Sequence, residues 1–402
     1  MGNVINIQQS GGLGITAKPG DAISGMVLHV PAPPEGTNYV LGGVYKLGST
    51  KDLEDVLGVT AAFDEENEVN AYQSVLEFFT INPKGTLYVM FITQSATLLQ
   101  ILNPTVSDGA IKLVNQAEGK IKQLAITYTL EAEDYEAVFT AAIAQAQVFA
   151  EYCAEISRPL HIVLEGFGLD GTTNLKALNS GKVSVMLGQN DTFYSSGEFA
   201  ELHTAIGSLL GVISLARVND NIGWVGQYNM MKGNLQNARI GGVLIDDISP
   251  TVFDTLDEKG YIYFKKFIDY SGIYMNDSYT CTDETDDYSK IEKNRTWNKA
   301  SRLIRTAMLP YVNSTVFINT DNGQIDSVTI SAMEAAGNKA LQPMFQNGEI
   351  SGPDPNGPTP PFRIDPDQDI LATEMLNTEL SIVPTGVAST ITNYIGFKNP
   401  NN

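Results

Sequence analysis

Apolar positions along the chain arrive in two rhythms. Ile23 to Val30 and Tyr39 to Leu47 read as strands, with APPEG between them as a loop. From Asp64 to Phe79 the spacing changes. Val69, Tyr72, Val75, Leu76 and Phe79 recur at three- and four-residue steps, which predicts a helix. After the Asn-Pro-Lys-Gly turn at 82–85, TLYVMFI at 86–92 is continuously apolar, the pattern of a strand covered on both faces. Further strands are expected at 122–129, 160–165 and 182–188, with helices over 132–156 and about 199–215. This alternation predicts an α/β fold: a Rossmann-like, mainly parallel sheet with helices on its faces.

A second region opens near Gly241 with the strand GGVLI. It continues through a long helix over about 288–312, another over 325–345, a Pro/Gly-rich loop at 351–361 and closing strands. The expected organisation is an N-terminal arm (1–20), an outer α/β domain (21–240), a C-terminal α+β domain (241–350), a loop (351–375) and terminal strands (376–402). Apolar stretches without a local hairpin partner stand at both ends: Val4, Ile5 and Ile7 at the front, and Leu380, Ile382, Ile391, Ile395 and Phe397 at the back. Such segments expose unpaired N–H and C=O groups unless another strand meets them, so they are expected to be donated between copies.

Composition narrows the classes. Among 402 residues, 43% are hydrophobic and 18% charged, as in ordinary folded proteins, but the formal net charge is −21. That excess of carboxylates repels phosphate backbones and anionic lipid, so neither nucleic acid nor membrane insertion is expected. No basic, apolar leader or eighteen-residue apolar run occurs, and Cys153 and Cys281 stand alone, so a reducing cytoplasm is the expected place of synthesis.

Enzyme-like signals are few. GFGLDG follows the strand HIVLE and matches G-x-G-x-x-G through Gly166, Gly168 and Gly171, with Asp191 about twenty residues on. The intervening TTNLKALNSGK offers barely two helical turns before Asn179-Ser180-Gly181, too little for the crossover helix that would hold a pyrophosphate. A glycine-rich loop is the simpler reading. His29, His161 and His203 have no partner at ligand spacing, and the acidic run from Asp277 to Asp287 lacks the spacing of a calcium loop. No cofactor, metal or catalytic residue is therefore expected.

The long helix carries the most informative charge. At 100° per residue, Arg295, Lys299, Arg302 and Arg305 fall on one arc, and Trp297, Ala300, Leu303, Ile304, Ala307 and Met308 on another. In so acidic a chain this basic stripe is either a solvated face or the place where an acidic partner docks.

Residues 240–400 resemble the C-terminal domain of contractile tail sheath proteins of bacteriophages and related injection machines. The segments carrying the likeness are GGVLIDDISPTVFDTLDEKGYIYFKKFIDYSGIYMNDSYT, NRTWNKASRLIRTAMLPYV, NGQIDSVTISAMEAAGNKALQPMFQNGEISG and LNTELSIVPTGVASTITNYIGF. The resemblance implies a non-enzymatic subunit that assembles in the bacterial host cytoplasm as stacked hexameric rings around an inner tail tube, ending as the virion tail sheath. Terminal arms would complete sheets in neighbouring subunits, and contraction would drive the tube through a target envelope. Implied partners are other copies, the inner tube protein, and baseplate and tail terminator proteins. The basic face of Arg295, Lys299, Arg302 and Arg305 would meet the tube. The alternatives are another repeating structural protein, such as a tail tube or surface-layer subunit, and a nucleotide-binding enzyme using the GFGLDG loop.

Overall fold

The computed structural model describes residues 20–129, 135–166, 169, 171–190, 203–233, 235–319 and 323–389. It divides into two compact units, with the boundary between Leu309 and Pro310.

The first unit is built on a six-stranded sheet of β1 (Ile23–Val30), β2 (Val44–Leu47), β3 (Thr86–Thr93), β4 (Gln123–Ile126), β5 (His161–Glu165) and β6 (Val183–Met186). The spatial order is β2-β3-β1-β4-β5-β6, with every neighbouring pair parallel except β2 with β3. Helices α1 (Ala61–Asn67), α2 (Ala71–Ile81), α3 (Leu98–Ile101), α4 (Ala110–Gln116), α5 (Tyr135–Glu155) and α6 (Ile206–Leu215) accompany it. Alternate residues of β1 feed two apolar layers, as the pleat requires. Met26, Leu28 and Val30 join Val75 and Phe78 of α2 and Leu209 and Ile213 of α6, whereas Val27 joins Leu113 of α4 and Ile143 and Phe149 of α5.

Buried carboxylates tie the helices of this unit together. Asp64 accepts from the backbone N–H groups of Ala71, Tyr72 and Gln73, so one helix caps the start of the next. Glu77 of α2 likewise accepts from the Ser208 N–H, at 2.9 Å, in the first turn of α6. The helix expected over 64–79 is two helices, because Glu68 turns the chain into the left-handed region at φ 52°. The strand expected over 39–47 begins only at Val44, after the Gly42-Gly43 turn.

The expected domain boundary at 240/241 is corrected. Strand β7 (Gln189–Asn190) pairs with β8 (Ala238–Ile240), which pairs with β9 (Val243–Leu244), a sheet that straddles it. Residues 261–264 then run beside β6: the Ile262 N–H donates to Val185 O at 3.1 Å, and the Leu187 N–H to Ile262 O at 2.8 Å. Cys281 adds a bond from its N–H to Val183 O at 2.8 Å. Helix α7 (Pro250–Lys259), the hairpin of β10 (Phe264–Phe267) and β11 (Tyr270–Met275), and helix α8 (Ile291–Met308) therefore belong to the first unit.

The second unit is smaller. Its helix α9 (Ser327–Gln346) is followed by β12 (Ile350–Gly352), β13 (Phe362–Ile364), the short α10 (Ile370–Thr373), β14 (Thr378–Leu380) and β15 (Val383–Pro384). The strands form two separate two-stranded antiparallel ladders, β12 with β15 and β13 with β14.

Candidate functional site: the charged helix and the closing strands

Helix α8 places its cations differently from the expected stripe. Arg295 is buried, and its guanidinium donates to the carbonyls of Ala216 at 3.1 Å and Arg217 at 3.0 Å, just beyond the end of α6. A cation there satisfies carbonyls left over at the helix terminus and meets the negative end of its dipole. Burial lowers the Arg295 pKa to about 10, so the group stays charged at neutral pH. Lys299 is also buried and pairs with Asp21 at 2.8 Å, while Arg302 reaches the other oxygen of the same carboxylate at 3.1 Å. Of the four cations expected to meet a tube, Arg295 and Lys299 are turned inward within their own chain. Arg302 is partly covered and Arg305 is exposed. The basic arc of α8 packs within the chain, because Asp21 and the end of α6 lie against it.

The start of α8 is held by a buried polar network. Lys290 pairs with Asp277 at 2.5 Å; Asn221 donates to Asp277 at 2.6 Å and to Glu292 at 3.2 Å; Ser278 donates to Glu292 at 2.5 Å. Burial works against the charge on Asp277, yet Lys290 holds its carboxyl below the usual range, while burial raises that of Glu292. The acidic run therefore splits. Asp277 turns inward, and Asp283, Glu284, Asp286 and Asp287 stay exposed.

In the second unit, Leu380 pairs with Phe362 in the β13–β14 ladder, so the stretch from Leu380 does have a partner in its own chain, contrary to expectation. Ile382 lies between β14 and β15. The other flank of β13 is closed by α9: Asn338 accepts from the Phe362 N–H at 3.1 Å and donates to the Phe362 carbonyl at 2.8 Å, and Glu334 accepts from the Ile364 N–H at 2.9 Å. Gly337 permits this approach, since a Cβ there would stand 2.3 Å from the Phe362 ring. Among the described residues, no strand lies on the outer edge of β14. Phe317, Val328, Leu371, Met375, Val383 and Val387 of this unit are exposed. The remaining expected arm residues, Val4, Ile5, Ile7, Ile391, Ile395 and Phe397, lie outside the described residues.

Gly166 brings its backbone against Met186, whose carbonyl oxygen would be 2.6 Å from an added Cβ. Between 171 and 190 the only helical turn among the described residues is a four-residue 3-10 turn, Leu175–Leu178. Among the described residues of 171–190, no full helix offers an N-terminus to a phosphate. Gly168 and Asp191 lie outside the described residues. Among the described residues no three His, Cys, Asp or Glu side chains converge as a metal site, and no helix is long and apolar enough to cross a membrane.

Solved structures share this fold along nearly the whole chain. A chain in the anti-feeding prophage baseplate is 15% identical, with a TM-score of 0.60 over 99% of this chain and 100% of that one. A chain of the PVC extracellular contractile injection system sheath complex in its contracted state is 14% identical, with a TM-score of 0.58 over 100% and 98%. The sheath tail protein of Listeria innocua is 10% identical, with a TM-score of 0.56 over 90% and 91%. Among curated proteins, no sequence matches the chain. The fold is therefore that of sheath proteins of contractile tails and injection systems, an α/β body containing a parallel sheet. Two family models, DUF2586 N-terminal domain over residues 1–279 and DUF2586 C-terminal domain over residues 287–402, account for almost all of the sequence. The chain belongs to the DUF2586 family.

Proposed function

We propose that this protein is a structural subunit of a contractile sheath. It polymerises as stacked hexameric rings around an inner tube, and its contraction drives the tube through a target envelope. Baseplate and terminator proteins bound the polymer at its ends. The role needs no catalytic group.

The observation that carries this reading is the open edge of β14. A lone two-stranded ladder is marginal in water, and here two of them stand beside exposed apolar side chains. Strands from other copies, carrying Val4, Ile5 and Ile7 or Ile391, Ile395 and Phe397, complete such sheets. Each backbone bond nets only about 0.5–1.5 kcal/mol, so burial of the apolar side chains supplies the remainder, and repetition through a lattice makes weak links cooperative. Donation that does not close between two copies propagates as rings or helical tubes. Likeness to sheath structures in two complexes, one of them contracted, supports the same role.

Electron microscopy of concentrated full-length protein tests the reading. Tubes or rings are expected, and tubes of two diameters would single out a sheath from a tail tube or surface layer. A protein that stays monomeric at every concentration contradicts it.

A further inference from the structure

Helix α8 carries opposite charges at its two ends. Toward its C-terminal end, a cleft of about 170 Å³ opens between α8 and the end of α5, with Lys182, Trp297, Arg302 and Arg305 in its wall and, among the described residues, no carboxylate lining it. Its cations are poorly compensated. Asp21 is shared between Lys299 and Arg302, while Arg305 and the Lys182 ammonium have no ion-pair partner among the described residues. Burial lowers the Lys182 pKa and Glu151 acts against that shift, but Glu151 does not line the cleft. The volume is below the roughly 300–1,000 Å³ of a pocket for a sizeable small molecule, so it suits one or two side chains.

At the other end, just before α8, four carboxylates occur in five residues. The turn that bears them is preset: Asp283 accepts from the N–H of Thr285 at 2.9 Å and from its hydroxyl at 2.6 Å, and Asp286 accepts from the Tyr288 N–H at 2.7 Å. Among the described residues, Glu284 alone of the four is in an ion pair, with Lys176, which also acts on Asp283. Asn294 in the first turn of α8 holds the base of this turn by donating to Tyr288 O at 2.9 Å, and also donates to Gly181 O at 2.7 Å, beside Lys182. Turn and cleft are thus fixed to one rigid rod, roughly 27 Å long for eighteen residues.

We infer that the cleft of one subunit receives the Asp283–Asp287 turn of a second copy, linking subunits head to tail through α8. Charge complementarity selects this occupant: in a chain of net charge −21, an uncompensated basic cleft attracts carboxylates, and an assembly of identical copies presents this rigid acidic turn to it. A contact whose two halves are different surfaces of one subunit is heterologous, and it propagates from copy to copy as a ring or a helical array. The inference rests on the sheath reading.

A charge swap in the full chain tests it. The concentration at which polymer forms is measured by sedimentation for wild type, K182E/R305E, D286K/D287K and the combination of all four. Each double variant is expected to raise that concentration at least tenfold, and the combination to return it to within about threefold of wild type. Melting of each variant verifies folding, and K182Q/R305Q, which only neutralises the cleft, replaces the reversal if that fails to fold; added salt should then no longer shift its threshold. Wild-type polymer with unaffected reversals, or doubles that stay impaired when combined, overturns the inference while leaving the sheath reading intact. Normal polymer from K182E/R305E with lost binding to inner tube protein also overturns it, by assigning the cleft to the tube. Wild-type protein that never polymerises overturns the sheath reading and this inference with it.

Discussion

Arg295 lies inside the first unit with its guanidinium on the carbonyl of Ala216 at 3.1 Å, so a residue from α8 closes the end of α6, 79 positions earlier in the chain. The bond makes α8 part of the sheet-bearing body, and it converts what reads as a surface charge into a structural one.

Replacing Arg295 with Met should therefore destabilise the first unit. The Ala216 and Arg217 carbonyls lose charged donors, each worth about 1.5–3 kcal/mol, and chemical denaturation should show a loss within that range or somewhat above it. Arg295→Lys keeps the charge but loses the fork that reaches two carbonyls, and should fall between. A wild-type denaturation curve for R295M would return Arg295 to the surface.

Asn338 is the corresponding test in the second unit. Asn338→Leu leaves both backbone groups of Phe362 without their side-chain partner, at about 1–3 kcal/mol for each orphaned group. Limited proteolysis should then cut within 310–389 well before the first unit is attacked. Equal resistance of the two units in this variant would show that β13 does not depend on α9.

The buried acid Glu77 predicts a pH dependence. Burial pushes its pKa from the ordinary 4.5 up to about 8, against hydrogen bonds from Ser208, Gln73 and Asn190. Because the folded value is the higher one, its contribution to stability is fully present below about pH 4.5 and is lost as pH rises through 8. His29, lowered by burial to about 4, acts at the other side: its contribution is present above pH 6.5 and lost as pH falls through 4. Denaturation midpoints measured against pH should decline from mildly acidic to pH 8 in wild type, and Glu77→Gln should remove part of that decline. An unchanged slope in E77Q would show that Glu77 is not protonated in the folded protein.

Periodicity made most of the sheet legible, because a strand covered on both faces has to be continuously apolar, as TLYVMFI is in β3. What it could not reveal depends on distant partners. The α8 wheel separates basic from apolar residues correctly, yet which arc meets solvent is decided by Asp21, some 280 positions away, and by the end of α6. The boundary at 240/241 failed for the same reason: residues 261–264 align with β6, a pairing with no local signature. Helix α7 hides in a polar stretch, and its cues, Ser249 before Pro250 and Gly260 after Lys259, are capping signals rather than apolar spacing. In the closing strands the apolar stretch from Leu380 is legible, but its partner β13 is a three-residue strand just after the Pro/Gly-rich run and within the expected loop 351–375, too short to announce itself.

The most direct test of the account is a density map of polymer grown from full-length protein, compared with protein truncated after Ser389, which keeps every strand described above. The account predicts tubes in which a strand from another copy lies along the outer edge of β14, and a folded, monomeric truncated protein. Tubes with that edge bare, or undiminished polymerisation of the truncated chain, would contradict it.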